Sequence, residues 1–184
     1  MKKAIEIKKL NQEIRNCKKC LLWKTRTNAV PGEGSENAKI MFIGESPGHE
    51  EDLSGKPFQG MAGKFLDKLF KKNKINRKKV FITSVLKCRP IIENRNRPPL
   101  AAELKACKVW WQNQIEIIKP KLIVLLGKIS FDTVIGEKEF KKLQGRFLIK
   151  NGPKYFATYH PAAGMRFPKI RKILEKDFKK LMTK

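Results

Sequence analysis

Four short apolar runs punctuate the chain: Lys39 to Ile43 (KIMFI), Val80 to Val85 (VFITSV), Leu122 to Leu126 (LIVLL) and Tyr155 to Thr158 (YFAT). Each is rich in β-branched or aromatic residues and bounded by Gly, Pro or charge, which predicts strands buried on both faces. Between them the period changes. In Ala62 to Lys72 (AGKFLDKLFKK), Phe65, Leu66, Leu69 and Phe70 share one helical face. Pro99 to Ile118 opens on a proline suited to a first helical turn, and from Pro168 onward Ile170, Ile173, Leu174, Phe178 and Leu181 mark a docking helix with lysines on its outer face. Strands alternating with helices predict an α/β fold, a parallel sheet with helices on both faces. No repeat, low-complexity stretch or linker interrupts the pattern, and 184 residues suit one domain spanning 1–184.

Composition adds a partner to this picture. The chain carries 42 Lys+Arg against 17 Asp+Glu, a formal charge of +25. A field of that sign attracts phosphate backbones and releases their counterions, so a nucleic acid is the expected partner. The lysines are scattered from end to end, however, and a lysine-rich surface also serves solubility or heat tolerance. No apolar run approaches the ~20 residues needed to span a bilayer, so no membrane is expected.

The only cysteines fall as Cys17-x2-Cys20, then Cys88 and Cys107. A thiolate pair two residues apart grips one ion or one corner of an iron-sulfur cluster, and folding would bring the distant pair to it. The chain opens on a charged, amphipathic MKKAIEIKKLNQEIRN rather than an apolar signal, which points to a reducing cytoplasm and against disulfides. Spacing leaves zinc and iron-sulfur both open, although the absence of a second CxxC knuckle leans toward a cluster.

The unusual residues gather where the predicted strands end. Gly44-Glu45-Ser46-Pro47-Gly48-His49-Glu50-Glu51-Asp52 follows the first strand, Ser84 and Cys88 close the second, Gly127 follows the third, and His160-Pro161 follow the fourth. In open α/β sheets the carboxyl edge is where loops converge on a ligand. A Gly/Pro-rich turn such as GESPG lets backbone N–H groups approach it closely, yet it matches neither a Walker loop nor GxGxxG.

With CKKC, AKIMFIGESPGHEEDLSGKPFQGMAGKFLDKLF, VFITSVLKCRP with NRPP following, Cys107, LIVLLG and TYHPAAGMR in this order, the chain resembles the family 4 uracil-DNA glycosylases over nearly its whole length. The resemblance implies a three-layer α/β/α sandwich around a four-stranded parallel sheet, and a 4Fe-4S cluster held by Cys17, Cys20, Cys88 and Cys107 in a structural role. It also implies a monomeric, monofunctional enzyme of a prokaryotic cytoplasm, associated with the nucleoid through DNA. That enzyme would hydrolyse the N-glycosidic bond of deoxyuridine and leave an abasic site. His160 matches the histidine that donates to uracil O2, Glu45 the acidic position that orients water or offsets charge on the sugar, and Phe58 the ring that stacks on the flipped base. Gly44 and Ser46 would frame the same pocket.

Glu51 is readable either as a supporting carboxylate or as a helix start, and His49 as a surface residue. The resemblance further marks Ala163-Gly164-Met165-Arg166 as a minor-groove loop, with Met165 as a wedge and Arg166 on a phosphate. The loop from Arg89 to Pro99 offers Arg95 and Arg97 to the DNA backbone. One position departs from the family. Ser84 stands where the ITNVVKC pattern has Asn, whose amide can both accept from uracil N3–H and donate to O4. A shorter hydroxyl implies weaker uracil reading or a range shifted toward other deaminated bases such as hypoxanthine and xanthine. The competing class is a non-catalytic nucleic-acid-binding module built on a four-cysteine metal site, which would have no need of Glu45, Phe58 and His160 together at strand ends.

Overall fold

The computed structural model describes residues 2–150 and 152–181. The chain runs through α1 (Lys2–Arg15), a tight helical turn at Leu21–Lys24, β1 (Glu33–Gly34), β2 (Ile40–Gly44), α2 (His49–Ser54) and α3 (Met61–Lys72). It continues through β3 (Phe81–Ser84), the hairpin β4 (Ile91–Ile92) and β5 (Arg95–Asn96), α4 (Ala101–Ile118), β6 (Leu122–Leu126), α5 (Lys128–Ile135) and α6 (Phe140–Leu143). The last elements are β7 (Phe147–Ile149), β8 (Lys154–Thr158), α7 (Pro161–Arg166) and α8 (Pro168–Lys180).

The main sheet has the order β1-β3-β2-β6-β8-β7. Its four central strands are the expected parallel ones, paired Phe42↔Ile82, Phe42↔Val124 and Val124↔Phe156. The expected four-stranded sheet is corrected to six strands, because β1 and β7 add antiparallel edges to β3 and β8. These edges are two and three residues long. Such pieces are too short to show a period of two and exist only through pairing with a neighbour.

Alternation divides the strand residues between two layers. Met41, Ile43, Ile123, Leu125 and Ala157 meet Ile7 of α1, Trp111 and Ile118 of α4 and Phe131 of α5. On the opposite face Phe42, Ile82, Val124, Leu126 and Phe156 meet Leu66, Leu69 and Phe70 of α3 and Leu174 and Phe178 of α8. Burial on both faces explains why the strands read as continuous apolar runs. A third apolar cluster lies beside the sheet, where Leu10, Ile14, Leu22, Leu86 and Trp110 enclose Cys88 and Cys107 with Cys17 and Cys20 against them.

Candidate active site and thiol centre

The carboxyl edges of β2, β3 and β8 open onto one cavity of about 340 Å³ lined by Glu45, Ser46, Glu51, Phe58, Ser84 and His160. Five of these six, all but Glu51, were expected there as catalytic or substrate-binding residues. Gly44 ends β2 beneath the aromatic ring: a Cβ there would meet Phe58 Cζ at 2.8 Å and Ser84 Oγ at 3.4 Å. Only glycine lets the ring settle on the strand end.

Phe58 is buried and adopts a φ of 53°, a left-handed conformation that costs a non-glycine residue about 1 kcal/mol or more. Glu51 accounts for its persistence. Its Oε1 accepts the N–H groups of Gln59 (2.7 Å) and Gly60 (2.9 Å), the residues directly after Phe58, while Oε2 accepts Gly48 N–H at 3.0 Å. One carboxylate therefore binds the GESPG turn to the loop carrying the ring. Both readings of Glu51 hold: Oε2 on Gly48 N–H closes the start of α2, and Oε1 supports the loop after Phe58, a contact the sequence concealed because that loop begins eight residues away.

His160 caps α7 ahead of Pro161, and its ring lies 5.7 Å from that of Phe58 at 28°. Its Nδ1 accepts Ala162 N–H at 3.2 Å. A nitrogen that accepts carries no proton, so in the neutral ring the proton sits on Nε2. Burial pushes the His160 pKa down to about 4, against the pull of Glu51. The ring is therefore a neutral Nε2–H donor at pH 7. Gly127, at the end of β6, approaches so closely that a Cβ would stand 3.0 Å from His160 Cβ.

Burial raises the Glu45 carboxyl above its ordinary value, and no side chain among the described residues hydrogen-bonds to it. The Ser84 hydroxyl is likewise uncommitted, although Ser84 is 6 % exposed. Its carbonyl accepts the ammonium of Lys87 at 2.8 Å, and Lys87 also donates to Thr83 Oγ1 (2.5 Å) and Gln114 Oε1 (2.8 Å). This fully buried lysine was not anticipated, since nothing in its sequence context distinguishes it from many surface lysines. Burial pushes it down to about 7 while Cys107 and Cys88 act in the opposite direction.

The expected DNA contacts separate into two kinds. Arg166 is exposed at the cavity rim, Arg95 is exposed on the β4–β5 hairpin, and Met165 is half-buried on α7 without lining the cavity. Arg97 lines the cavity and is also committed within the chain. It forms a bidentate pair with Glu103 (2.9 and 2.5 Å) and donates to the carbonyls of Ile91 and Pro98, so its donors hold the loop itself. Its guanidinium is a staple for the hairpin. Arg89 likewise meets Asn96 Oδ1 at 2.6 Å and His49 Nδ1 at 3.0 Å. Asn96 lines the cavity as well and was also missed, because the hairpin that delivers it has no strand pattern of its own.

All four cysteines are unpaired thiols and line one cavity, together with Lys19, Arg26, Lys87 and Trp110. Cys17 Sγ accepts Trp110 Nε1–H at 3.3 Å and Lys19 N–H at 3.5 Å, and Cys88 Sγ accepts Arg26 Nη1–H at 3.1 Å. Burial pushes the Cys107 thiol up to about 12 and raises Cys20 and Cys88. Four thiols facing N–H donors and cations, with no carboxylate among the lining residues, suit a group that brings positive charge and takes the sulfurs as thiolates.

The sequence profile of the Uracil DNA glycosylase superfamily matches residues 31–182. The chain is 47% identical to a type-4 uracil-DNA glycosylase of Saccharolobus solfataricus, over 92% of this chain and 82% of that one. It is 41% identical to a type-4 uracil-DNA glycosylase of Archaeoglobus fulgidus, over 92% and 88% of the two chains. A type-5 uracil-DNA glycosylase of Pyrobaculum aerophilum is 29% identical over 76% and 68%. With a profile match across most of its length and high identity to several type-4 members, the chain belongs to the uracil DNA glycosylase superfamily.

Proposed function

We infer that this chain is a monofunctional DNA repair glycosylase that removes uracil from DNA by hydrolysis, acting as a single domain and as a monomer in a prokaryotic cytoplasm. The observation that carries the reading is the neutral, Nε2-protonated His160 beside the Phe58 ring and the Glu45 carboxyl in one cavity. A base inside a duplex is inaccessible, so the nucleotide must leave the stack at a cost of a few kcal/mol. Phe58 offers the flipped base an apolar face. As the glycosidic bond breaks, negative charge grows on the uracil and positive charge on the sugar. The His160 donor meets the first, and Glu45 offsets the second while it orients water.

Cys17, Cys20, Cys88 and Cys107 would hold a 4Fe-4S cluster. When bound, it supplies structural cross-linking rather than chemistry at the base. The reading is tested by incubating the protein with a uracil-containing oligonucleotide. Free uracil and an abasic product are expected, and a strand left intact would defeat it.

A second reading concerns range, and the uncommitted Ser84 hydroxyl favours it. One hydroxyl replaces the two arms of an amide, a loss of roughly 1–3 kcal/mol in discrimination. Release of uracil, hypoxanthine and xanthine is compared for wild type and Ser84→Asn. The variant is expected to gain about tenfold to a hundredfold in preference for uracil; an unchanged profile removes Ser84 as the determinant.

Glu51→Ala tests the support of the platform. Three backbone N–H groups lose their acceptor, at about 1–3 kcal/mol for each one left buried. The left-handed Phe58 is then free to relax. Thermal unfolding is expected to occur at lower temperature and the KM for uracil DNA to rise more than kcat falls. A variant with wild-type KM would show that Phe58 holds its position without Glu51.

A further inference from the structure

Beyond the catalytic cavity lies a second depression, of about 470 Å³, whose lining includes Arg15, Trp23, Asn28, Gly55 and Lys56. Its two walls are the segments 27–29 and 54–56, and their next residues, Val30, Pro57 and Phe58, line the catalytic cavity. The two hollows thus lie end to end between the same pair of segments. The walls are bound together: Asn28 Nδ2 donates to the carbonyls of Asp52 (2.9 Å) and Leu53 (3.1 Å), and the Asp52 carboxylate takes Thr27 N–H at 3.1 and 3.0 Å. Asp52 is buried beneath the wall, and the lining contains no carboxylate.

The free groups here suit a nucleic acid strand. Arg15 and Lys56 are exposed, and neither side chain forms an ion pair among the described residues. Trp110 and Trp111 are buried, whereas Trp23 is 37 % exposed. Lys18 Nζ lies over the Trp23 ring, 5.0 Å from its centroid, so a cation on a flexible stem covers one face of the ring and can move aside onto a phosphate when a base stacks there. The turn carrying Trp23 follows Cys20 directly and backs onto the thiol centre, which gives the ring a fixed base. Aromatic platforms set among cations are how proteins hold unpaired nucleotides without regard to sequence.

We propose that this groove carries the DNA strand on one side of the flipped nucleotide, with Arg15 and Lys56 on phosphates and Trp23 stacked on a neighbouring unpaired base. The proposal rests on the glycosylase reading for the nucleotide in the adjoining cavity. It makes the interface asymmetric: one flank of the strand is held by this groove, and the other leaves past the rim at Arg166.

The test uses the full-length protein and single-stranded DNA with uracil placed either centrally or one nucleotide from the 5′ or 3′ end. Lys56→Glu, the Arg15→Glu/Lys56→Glu double variant and Trp23→Ala are compared with Lys121→Glu, a charge reversal at the opposite end of the sheet. Iron content is measured for each variant, and Lys56→Glu serves as the variant outside the thiol cavity. On the central substrate the double variant is expected to lose about tenfold or more in kcat/KM. Its binding should depend less on salt, the slope falling by about 0.7 for each phosphate contact removed. Trp23→Ala should lose several-fold on single strands. Trimming one particular flank should abolish these penalties, and trimming the other should leave them. Penalties that ignore which flank is trimmed and equal that of Lys121→Glu would reduce the effect to bulk charge and overturn the proposal. Wild-type kcat/KM in the groove variants would overturn it as well. If the wild type releases no uracil, the glycosylase reading fails separately. Anisotropy with uracil-free strands then decides the groove, which stands only if Lys56→Glu binds more weakly than Lys121→Glu, a reversal of the same charge at the opposite end of the sheet.

Discussion

His160→Ala is expected to slow uracil release about 10²–10³-fold, the usual consequence of removing one preorganised donor to a developing anion. The loss should fall on kcat more than on KM, because Phe58 still offers its face to the base and the donor acts most strongly once charge has formed. The pH profile provides a sharper check. With His160 at about 4, the imidazole takes no second proton near 6.5, so no step in rate is expected there. The acid limb should begin with Glu45, whose carboxyl titrates above its ordinary 4.5 because it is buried. Protonation of His160 follows, and it turns Nδ1 from an acceptor into a donor facing Ala162 N–H. A limb centred near 6.5 that disappears in His160→Ala would show that the working ring is an imidazolium.

The same two groups affect stability in opposite directions. His160 has a folded pKa below its unfolded value, so the unfolded chain binds the proton more readily. Its contribution is complete above 6.5 and is lost as pH falls from 6.5 through about 4. Glu45 has a raised folded pKa, so its ionised form weighs against the fold at neutral pH and its protonation relieves that strain. Glu45 is thus placed for chemistry at the expense of stability, as active-site groups often are.

The layers were legible because burial on both faces writes four apolar runs that no loop would tolerate, and β6 falls on Leu122–Leu126 as read from them. The site was legible where a residue type, a strand end and family order coincide, as for Glu45, Phe58, Ser84 and His160. What escaped is long-range pairing. Arg89 shows no partner in the sequence, yet folding brings His49, 40 residues away, to 3.0 Å from it. Lys87 is one lysine among many until folding brings Thr83, Ser84 and Gln114 around it. The left-handed Phe58 is set by Gly44, Gly63 and Glu51 acting together: a Cβ on Gly63 would stand 1.9 Å from the Phe58 carbonyl oxygen. None of the three indicates that role alone.

Cys107→Ala is expected to remove bound iron, with its broad visible absorbance, and a large part of the stability. Cys107 comes from α4, Cys88 from the loop after β3, and Cys17 and Cys20 from the segment after α1. A group bridging all four closes chain loops across about half the chain, from Cys17 to Cys107, and a single cross-link over such a span is worth about 4–5 kcal/mol in loop entropy. Without that group, Cys107 is a thiol at about 12 buried among apolar neighbours, which has no tendency to ionise. Binding must therefore displace thiol protons, and the binding free energy becomes folding free energy. Loss should appear first where the centre bears on its surroundings: the turn with Trp23, the Arg26 bridge to Cys88 and the loop holding Arg97. Proteolysis in these segments is expected to rise before the sheet unfolds. Because Ser84 lies four residues before Cys88 and is tied to Lys87, base release should weaken even while the fold persists. A colourless wild type containing zinc would replace the cluster with a four-thiolate ion site. A Cys107→Ala protein that kept its iron, colour and melting temperature would exclude Cys107 as a ligand.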